Sequence, residues 1–490
     1  MAGTPLINSR SVCASAPGKA ILFGEHAVVY GEPAVAAALD DLRIFVLFTP
    51  TSHNSTHASV IRVVMPDLPT PVDFALPVSL FTSMESTNTP PTPDDATVLA
   101  QLLHTADPTL DDFSVQALTP VLYLCNQILL KPLRFRSESN PSADGGYELW
   151  VRSQDLPVGA GLGSSAAFGV ACAAALIQYR QNLTATHAGT AAGTTSTNTP
   201  IQYGPPDSAT LSEIDRYAYY SEILLHGTPS GIDNAVSAHG GAIIFTKDVA
   251  STNGTVKMEH LTPSDDLTLS LVYTHVPRST KTLVAGVRHF YQRHVGFVTL
   301  ILEAMGAIAR DFEQAIRDRT NAHHGDHASD SHDFGERVLT MVRTNQYLLQ
   351  AVGVSHPSLD HVCAVVHEHF RDYGAAKLTG AGGGGCAFVL WKPGLAADVL
   401  ATQRQRLQYA LTTTLTPSPP YRYQCLASVV GGEGVLFLPA GDFPWDATTP
   451  SSATPSRSAT NVGRLVSALT VSALVATTWM VWRSIGTKAR

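Results

Sequence analysis

Apolar residues recur along this chain with two periods, one typical of strands and one typical of helices. Short apolar or alternating runs at residues 43–48 and 60–64 predict strands. The Ala-rich stretch 164–179 predicts a helix. Residues 295–317 predict an amphipathic helix, because apolar side chains recur there at spacings of three and four. The pattern therefore predicts a protein that mixes helices and strands.

The same signals predict further elements in both halves of the chain. Helices are expected at residues 211–225, 232–238, 336–352 and 358–373, and strands at 240–245, 267–274, 386–391 and 434–438. Ser358 follows a proline and is the predicted N-cap of its helix, because a serine hydroxyl can accept from the first free amides of a helix.

Two polar segments interrupt this pattern. Residues 183–210 are dominated by Thr, Ala, Gly, Ser and Pro, a composition that predicts a surface insertion without its own core. Residues 320–334 hold aspartates and His323, His324, His327 and His332. Histidine and aspartate are metal ligands, but their irregular spacing among small residues favours a solvated loop. We expect two insertions that lengthen loops.

The C-terminal segment, residues 446–490, differs from the rest of the chain. It begins as a Thr/Ser/Pro-rich linker, and residues 465–482 then carry no charge and are flanked by arginines. That length is close to the ~17–25 residues needed to span a bilayer, although the stretch contains Ser and Thr. Two interpretations stay open: an anchor to an intracellular membrane, or a packing helix or extension.

Length and composition limit the class of protein. A chain of 490 residues is expected to form two or three domains. The net charge of −8 disfavours a nucleic-acid-binding protein, which needs a basic face. The 6 cysteines are widely separated, and the N-terminus lacks an apolar signal sequence. We therefore expect a reduced, cytoplasmic protein.

A glycine-rich turn before the Ala-rich helix is the first candidate site. Glycines allow a ligand to approach backbone amides closely, and a helix start binds anions. A serine hydroxyl beside a phosphate can also ligate Mg²⁺. Read alone, the turn is equally consistent with strand–helix packing. Its residues are Gly159, Ala160, Gly161, Leu162, Gly163, Ser164 and Ser165.

Three other motifs carry chemistry-bearing residues. Lys19 follows a Pro-Gly turn, and Glu25 and His26 come between apolar residues a few positions later. Five glycines crowd residues 377–386, which suits backbone packed against a phosphate or another loop. Asp233 follows a Gly/Ser turn and can either complement a helix dipole or accept a proton from a hydroxyl.

Together the four motifs resemble the GHMP kinase superfamily of small-molecule kinases, from about residue 11 to 438. The resemblance implies an α+β fold, with a ribosomal-S5-domain-2-like N-terminal domain (8–250) and a ferredoxin-like C-terminal domain (262–445). Within the superfamily, the motifs are most similar to the members that phosphorylate the primary hydroxyl of mevalonate with ATP and Mg²⁺. A homodimer is also implied.

The resemblance also implies a role for each motif. The glycine turn would wrap the ATP phosphates, and Ser165 and Glu222 would hold Mg²⁺. Asp233 would be the catalytic carboxylate facing the hydroxyl, with Lys19 beside it. The residues implied on the substrate side are Lys19, Glu25, His26, Asp233, Arg278, Thr280, Gly382 and Gly383. Two alternatives stay open: a phosphomevalonate or sugar kinase, and a non-catalytic kinase-like binding module.

Overall fold

Two antiparallel-rich sheets organise the computed structural model, each covered by helices. The structure describes residues 7–51, 60–77, 80–81, 84, 90–132, 146–191, 202–227, 229–247, 256–261, 267–322, 330–413 and 421–445. The strands are β1 Val12–Phe23, β2 Ala34–Thr51, β3 Val60–Met65, β4 Val72–Pro77, β5 Gly146–Gln154, β6 Ala242–Lys247, β7 Val256–Leu261, β8 Thr268–Tyr273, β9 Gly374–Leu378, β10 Cys386–Trp391, β11 Gln424–Val429 and β12 Leu436–Leu438.

Ten helices within those ranges cover the two sheets. They are α1 Pro93–Ala106, α2 Asp112–Leu124, α3 Ser164–Ala191, α4 Ser208–His226, α5 Ile232–His239, α6 Thr280–Arg293, α7 Val295–Ala322, α8 Asp330–Ala351, α9 Pro357–His369 and α10 Ala397–Thr413. The strand and helix predictions made from the sequence are confirmed in type, and most ends shift by a few residues.

The larger sheet forms the N-terminal domain. Its order is β12-β1-β2-β5-β3-β4, and β6 pairs with both β2 and β7. The strands are antiparallel except for β3 and β5, which run parallel. The Ala-rich helix α3 packs on β1 and β2, because its small side chains let the helix approach the sheet closely.

The smaller sheet has the order β11-β8-β10-β9, with helices between β8 and β9 and between β10 and β11. This β-α-β-β-α-β succession is the ferredoxin-like arrangement expected for the C-terminal domain. The apolar stripe of α7 is confirmed as a core face, since Val298, Met305 and Phe312 are at most 2% exposed. Phe312 also contacts Phe23 of β1, with ring centroids 4.8 Å apart, so this helix joins the domains.

Three sequence-based expectations differ from the structure. Helix α3 continues to Ala191, well into the segment 183–210 predicted to be an insertion without structure. Helix α8 begins at Asp330, inside the predicted loop 320–334. The N-cap of α9 is His356, whose side chain accepts from the Ser358 amide, because Pro357 already occupies the first helical position. The tail 446–490 and the histidines at 323, 324 and 327 lie outside the described residues.

The sheet pairings also cross the predicted domain division. Strand β7 follows residue 250 and yet pairs with β6 in the N-terminal sheet. Strand β12 lies in the range 262–445 but pairs with β1, with Cys13 opposite Leu438. The N-terminal domain is therefore built from two separate parts of the chain.

One apolar helical stretch of the described chain is long enough to cross a membrane. It is Asp112–Leu130, which comprises α2 and the π-helical turn after it. It is 83% buried against the rest of the N-terminal domain, as a core helix would be.

Candidate active site

A cleft of about 1050 Å³ lies where the two domains meet. The N-terminal domain supplies the glycine turn, Lys19 and Asp233 to its wall, and the C-terminal domain supplies Arg278 and Thr280. Three of the four sequence motifs therefore contribute side chains to one cavity. The fourth, residues 377–386, reaches the cavity through Gly380 and Ala381.

The glycine turn has a conformation that other residues adopt with difficulty. Gly159, Gly161 and Gly163 have φ values of 76°, 82° and 71°, in the left-handed region that favours glycine. Helix α3 starts immediately afterwards at Ser164, so its free amides open toward the cleft. The Lys19 amide donates to the Leu162 carbonyl at 2.8 Å, which ties the turn to β1. The turn thus leads into a helix start of fixed geometry, a feature that can bind an anion.

Lys19 and Asp233 form an ion pair in the cleft. Lys19 Nζ lies 2.9 Å from Asp233 Oδ1, and their side chains are 6% and 38% exposed. A β-bulge at Pro17/Gly18 precedes Lys19 on β1, and Asp233 lies in the first turn of α5, after the left-handed Gly231. Because one carboxylate side remains open, Asp233 can still bind a ligand hydroxyl.

Glu222 is a buried carboxyl group near this pair. Burial and the neighbouring Asp233 raise the pKa of Glu222 to about 7, although a hydrogen bond with Ser165 and the charge of Lys19 partly oppose the shift. Its Oε1 atom is buried and accepts no hydrogen bond from any described residue. Ser165 Oγ lies 3.3 Å from His226 Nε2, and that nitrogen lies 3.7 Å from Glu222 Oε2. The three side chains therefore cluster at the start of α3.

The donor set at Glu222 fits a magnesium ion. The described residues contain no cluster of three or more His, Cys, Asp or Glu side chains able to hold a metal. Mg²⁺ does not require one, because it usually binds one or two carboxylates together with substrate phosphates and water. An unpaired carboxylate oxygen beside a serine hydroxyl provides that kind of half-site. Ser165 and Glu222 are thus compatible with their expected role.

Arg278 crosses from the C-terminal domain to the glycine turn. A Cβ built on Gly161 would lie 1.3 Å from Arg278 Nη2, and Cβ atoms on Gly380 and Gly385 would lie 3.0 Å from the same guanidinium. Only glycine at 161 leaves room for this side chain. The Nη1 atom is buried and donates to none of the described residues, and burial lowers the pKa of Arg278. An anionic ligand would satisfy the free donor.

The second glycine loop is packed against protein along most of its length. Thr379 Oγ1 donates to the Ile21 carbonyl at 2.9 Å and accepts from the Ile21 amide, which ties the loop to β1. The Gly383 amide donates to Val354 O at 2.8 Å. A Cβ on Gly382 would lie 2.0 Å from that carbonyl. Gly382 and Gly383 therefore contact neighbouring protein segments and do not line the cleft.

Glu25 and His26 also lie behind the cleft. Glu25 forms a buried ion pair with Lys377 and accepts from Asn345 Nδ2 at 3.2 Å. His26 Nε2 is 2.9 Å from the Ala381 carbonyl, and burial lowers the pKa of His26. Neither side chain belongs to the cavity wall. Their implied contact with the substrate stays a prediction, whereas their observed contacts join the two domains.

Sequence reasoning missed several residues of the site and its support. His226 and Lys377 lie inside motifs that the sequence analysis identified, so a signal for both was present. Asn345 comes from the middle of α8 without a motif, and the apolar part of the cavity wall also comes from segments without a motif. The cavity wall there includes Met65, Leu68, Phe113, Ala117 and Pro120.

Comparisons with known proteins agree with this architecture. The family model described as GHMP kinases N terminal domain matches residues 127–204, and the model described as GHMP kinases C terminal matches residues 332–406. Among solved structures, the Leishmania major mevalonate kinase in complex with R-mevalonate superimposes with a TM-score of 0.54 at 20% identity, over 86% of this chain and 96% of that one. The fold and the cleft thus define a GHMP-type kinase.

Sequence relatives narrow the assignment. A mevalonate kinase from Schizosaccharomyces pombe is 34% identical over 390 residues, covering 79% of this chain and 84% of the relative. The Mus musculus mevalonate kinase is 34% identical over 435 residues, covering 87% and 95%. The chain belongs to the mevalonate kinase family.

Proposed function

We propose that this protein transfers the terminal phosphoryl group of ATP to the primary hydroxyl of mevalonate. The product is 5-phosphomevalonate, a precursor for isoprenoid and sterol synthesis. The observation that carries the proposal is the 2.9 Å Lys19–Asp233 pair in the same cleft as the glycine turn. Family membership supports mevalonate as the alcohol, since the relatives above bear that name.

In the proposed reaction, the mevalonate hydroxyl oxygen bonds to the γ-phosphorus while the bond from that phosphorus to the bridging oxygen of ADP breaks. Asp233 accepts a hydrogen bond from the hydroxyl, directs its oxygen toward the phosphorus, and takes up the hydroxyl proton in the course of the transfer. The ammonium of Lys19 pairs with Asp233 and adds positive charge near the transferred group. Phosphoryl transfer depends mainly on such positioning and charge stabilisation, because its transition state is loose and anionic.

Three other groups bind the nucleotide in this proposal. The amides of the glycine turn and the start of α3 bind the phosphates, and the free donor of Arg278 contacts an anionic oxygen at the domain boundary. Glu222 and Ser165 would hold Mg²⁺, which would neutralise phosphate charge. Thr280 begins α6 on the opposite wall, next to the substrate.

Replacement of the catalytic carboxylate tests the proposal. With Asp233→Ala, we expect kcat for ADP release with mevalonate to fall by about 10³-fold or more, because the hydroxyl loses both its orientation and its proton acceptor. ATP affinity should change little, since the phosphate-binding groups remain. A coupled ADP-release assay and ATP titration measure both quantities.

A panel of alcohols separates this function from its alternatives. Wild-type protein should turn over mevalonate far faster than phosphomevalonate or sugars. Preference for another alcohol would contradict the substrate assignment while leaving a GHMP kinase. Turnover of mevalonate by Asp233→Ala at the wild-type rate would contradict the catalytic assignment.

The proposed setting is cytoplasmic, with a homodimeric enzyme and membrane contact through residues 465–482. The support is the uncharged sequence of that segment and the family resemblance. Carbonate extraction of the full chain, compared with a chain ending near residue 446, tests the anchor: only the full chain should stay with membranes. Light scattering of the shorter chain tests the dimer.

A further inference from the structure

The helix that carries Asp233 needs external support. Helix α5 has only 8 residues, and its N-cap, Gly231, provides no side-chain hydrogen bond to the first turn. A helix this short is not stable in isolation. The position of the Asp233 carboxylate therefore depends on the groups that hold α5 against its neighbours.

Asp215 of α4 contacts α5 at both ends. Its Oδ1 accepts from Asn234 Nδ2 at 2.5 Å, in the first turn. Its Oδ2 lies 3.5 Å from Nε2 of His239, the last residue of the helix. One carboxylate thus joins the start and the end of α5 to α4. Asn234 is the residue next to Asp233, so the first contact acts directly beside the reacting group.

The contact with Asp215 also fixes the orientation of the Asn234 amide. An ionised carboxylate only accepts hydrogen bonds, so the NH₂ group of Asn234 must face Asp215. Its Oδ1 must then face the other way. Asn234 is 3% exposed and belongs to the wall of the cleft. Its Oδ1 is buried and receives no hydrogen bond from the described part of the chain. A buried acceptor without a donor is costly unless a ligand or water supplies one.

We propose that Asp215 is a positioning residue for phosphoryl transfer and that it acts through Asn234. Asp215 holds the first turn of α5 in place, and it orients Asn234 Oδ1 as an acceptor for a hydroxyl or water of the bound substrates. The inference rests on the proposed kinase function. It adds an acceptor and its support, neither of which belongs to the Lys19–Asp233 pair or to the Mg²⁺ half-site.

A double-mutant cycle tests this coupling. Asp215→Ala and Asn234→Ala should each lower kcat by roughly 10- to 100-fold, the scale of a small misplacement at a reacting centre. The KM for ATP should stay within about twofold. In the Asn234→Ala background, Asp215→Ala should lower kcat almost no further, because the Asn234 side chain through which Asp215 acts is already absent. Additive losses, or a wild-type rate for Asp215→Ala, would overturn the proposal.

Matched variants separate positioning from folding. Glu213→Gln removes a carboxylate from the same helix, where it pairs with Arg180 at 2.7 Å, and should leave kcat unchanged. Asp215→Asn keeps an acceptor oxygen and should restore most of the activity lost in Asp215→Ala. If Asp215→Ala does not fold, Asn234→Asp provides the test. That isosteric change removes the donor and should lower kcat at least tenfold, and a wild-type rate would overturn the proposal.

The test of the kinase function is independent of the test of Asp215. Wild-type turnover with the panel of alcohols is measured first, and the cycle then uses the alcohol that is phosphorylated. A panel result other than mevalonate contradicts the substrate assignment, whereas the cycle alone decides the role of Asp215.

Discussion

Two lysine–carboxylate pairs lie near the domain boundary, and they differ in their access to the cleft. The Lys19–Asp233 pair has a carboxylate that is 38% exposed on the cleft wall. The Lys377–Glu25 pair is almost completely buried, with side chains 0% and 1% exposed. The first pair can meet a ligand, whereas the second can only hold protein against protein. We call Lys19–Asp233 the chemical pair and Lys377–Glu25 the structural pair. Access to solvent, more than residue type, distinguishes them.

The surroundings of the buried pair explain its structural role. Lys377 Nζ also donates to the Leu378 carbonyl at 2.8 Å, and the rings of Phe23 and Phe388 lie 5.9 Å and 4.9 Å from it. Burial lowers the pKa of Lys377, and Glu25 opposes that shift. Glu25 comes from the N-terminal domain and Lys377 from the C-terminal sheet. A cation so enclosed depends on its partner, since an unpaired charge there would be very unfavourable.

Of the two lysines, Lys19 should matter more for catalysis, although Lys19→Met should lower kcat less than Asp233→Ala does. We expect kcat to fall by about 10²- to 10⁴-fold, because the site loses one electrostatic contact with the transferred group. Thermal stability should change little, since Asp233 remains partly in solvent. Steady-state kinetics and a melting curve measure the two effects. A large loss of thermal stability with kcat retained would contradict a catalytic role for Lys19.

Lys377→Met should instead act on stability. Removal of one partner of a buried ion pair typically costs about 3–5 kcal/mol, because the other charge stays buried and unpaired. Urea unfolding measures the free energy, and kcat per folded molecule should fall much less than with Lys19→Met.

A second substitution tests whether the unpaired buried charge causes the loss of stability. The double variant Glu25→Leu/Lys377→Met should recover most of the lost stability, because no buried charge remains. A double variant as unstable as Lys377→Met would show that the charge itself is not the cause. A wild-type melting temperature for the single variant would contradict the structural role.

Glu222→Gln should change stability somewhat less than Lys377→Met does, and in the opposite direction. A carboxyl pKa raised from 4.5 to about 7 means that the folded state binds a proton more tightly than the unfolded state. The stability contributed by the protonated form is present below pH 4.5 and is lost as pH rises through about 7. Without Mg²⁺, the variant should be more stable than wild type by about 3 kcal/mol at pH 8.

Unfolding at two pH values tests that sign. The difference between Glu222→Gln and wild type should largely disappear below pH 4.5, where Glu222 becomes protonated in both states. Added Mg²⁺ should stabilise the wild type at pH 8 more than the variant. Equal stability of the two proteins at pH 8 would contradict the burial of a charged group.

The sequence predicted the chemical pair better than the structural pair. Lys19 and Asp233 belong to motifs whose resemblance to a kinase superfamily implied their proximity, and the ion pair confirms that proximity. Lys377 also lay in a recognised motif, but nothing in a single sequence indicates that its partner is Glu25, 352 positions away. The expectation for Glu25 came from the resemblance alone, which implied contact with substrate. Resemblance indicates residue roles, whereas pairing over such distances is decided by packing.

Local patterns had a comparable limit. The stripe of α7 predicted a buried face, because helical periodicity is encoded within a few turns. The extension of α3 to Ala191 could not be predicted from a composition of Thr, Ala and Gly, which favours a loop when neighbours are ignored. The N-cap of α9 was misplaced by two residues, because histidine is an unusual cap and its ring nitrogen replaced the expected hydroxyl.

The pairing of β12 with β1 has a consequence for synthesis on the ribosome. The outer edge of β1, the first strand of the N-terminal sheet, is covered only by residues 436–438, so this domain cannot be completed before that late part of the chain has been synthesised. Arg43 adds a second late contact, since its guanidinium donates to the Glu433 and Gly434 carbonyls. A nascent chain released early would expose a strand edge, a known route to aggregation. Folding of the N-terminal domain thus depends on the segment that contains β12.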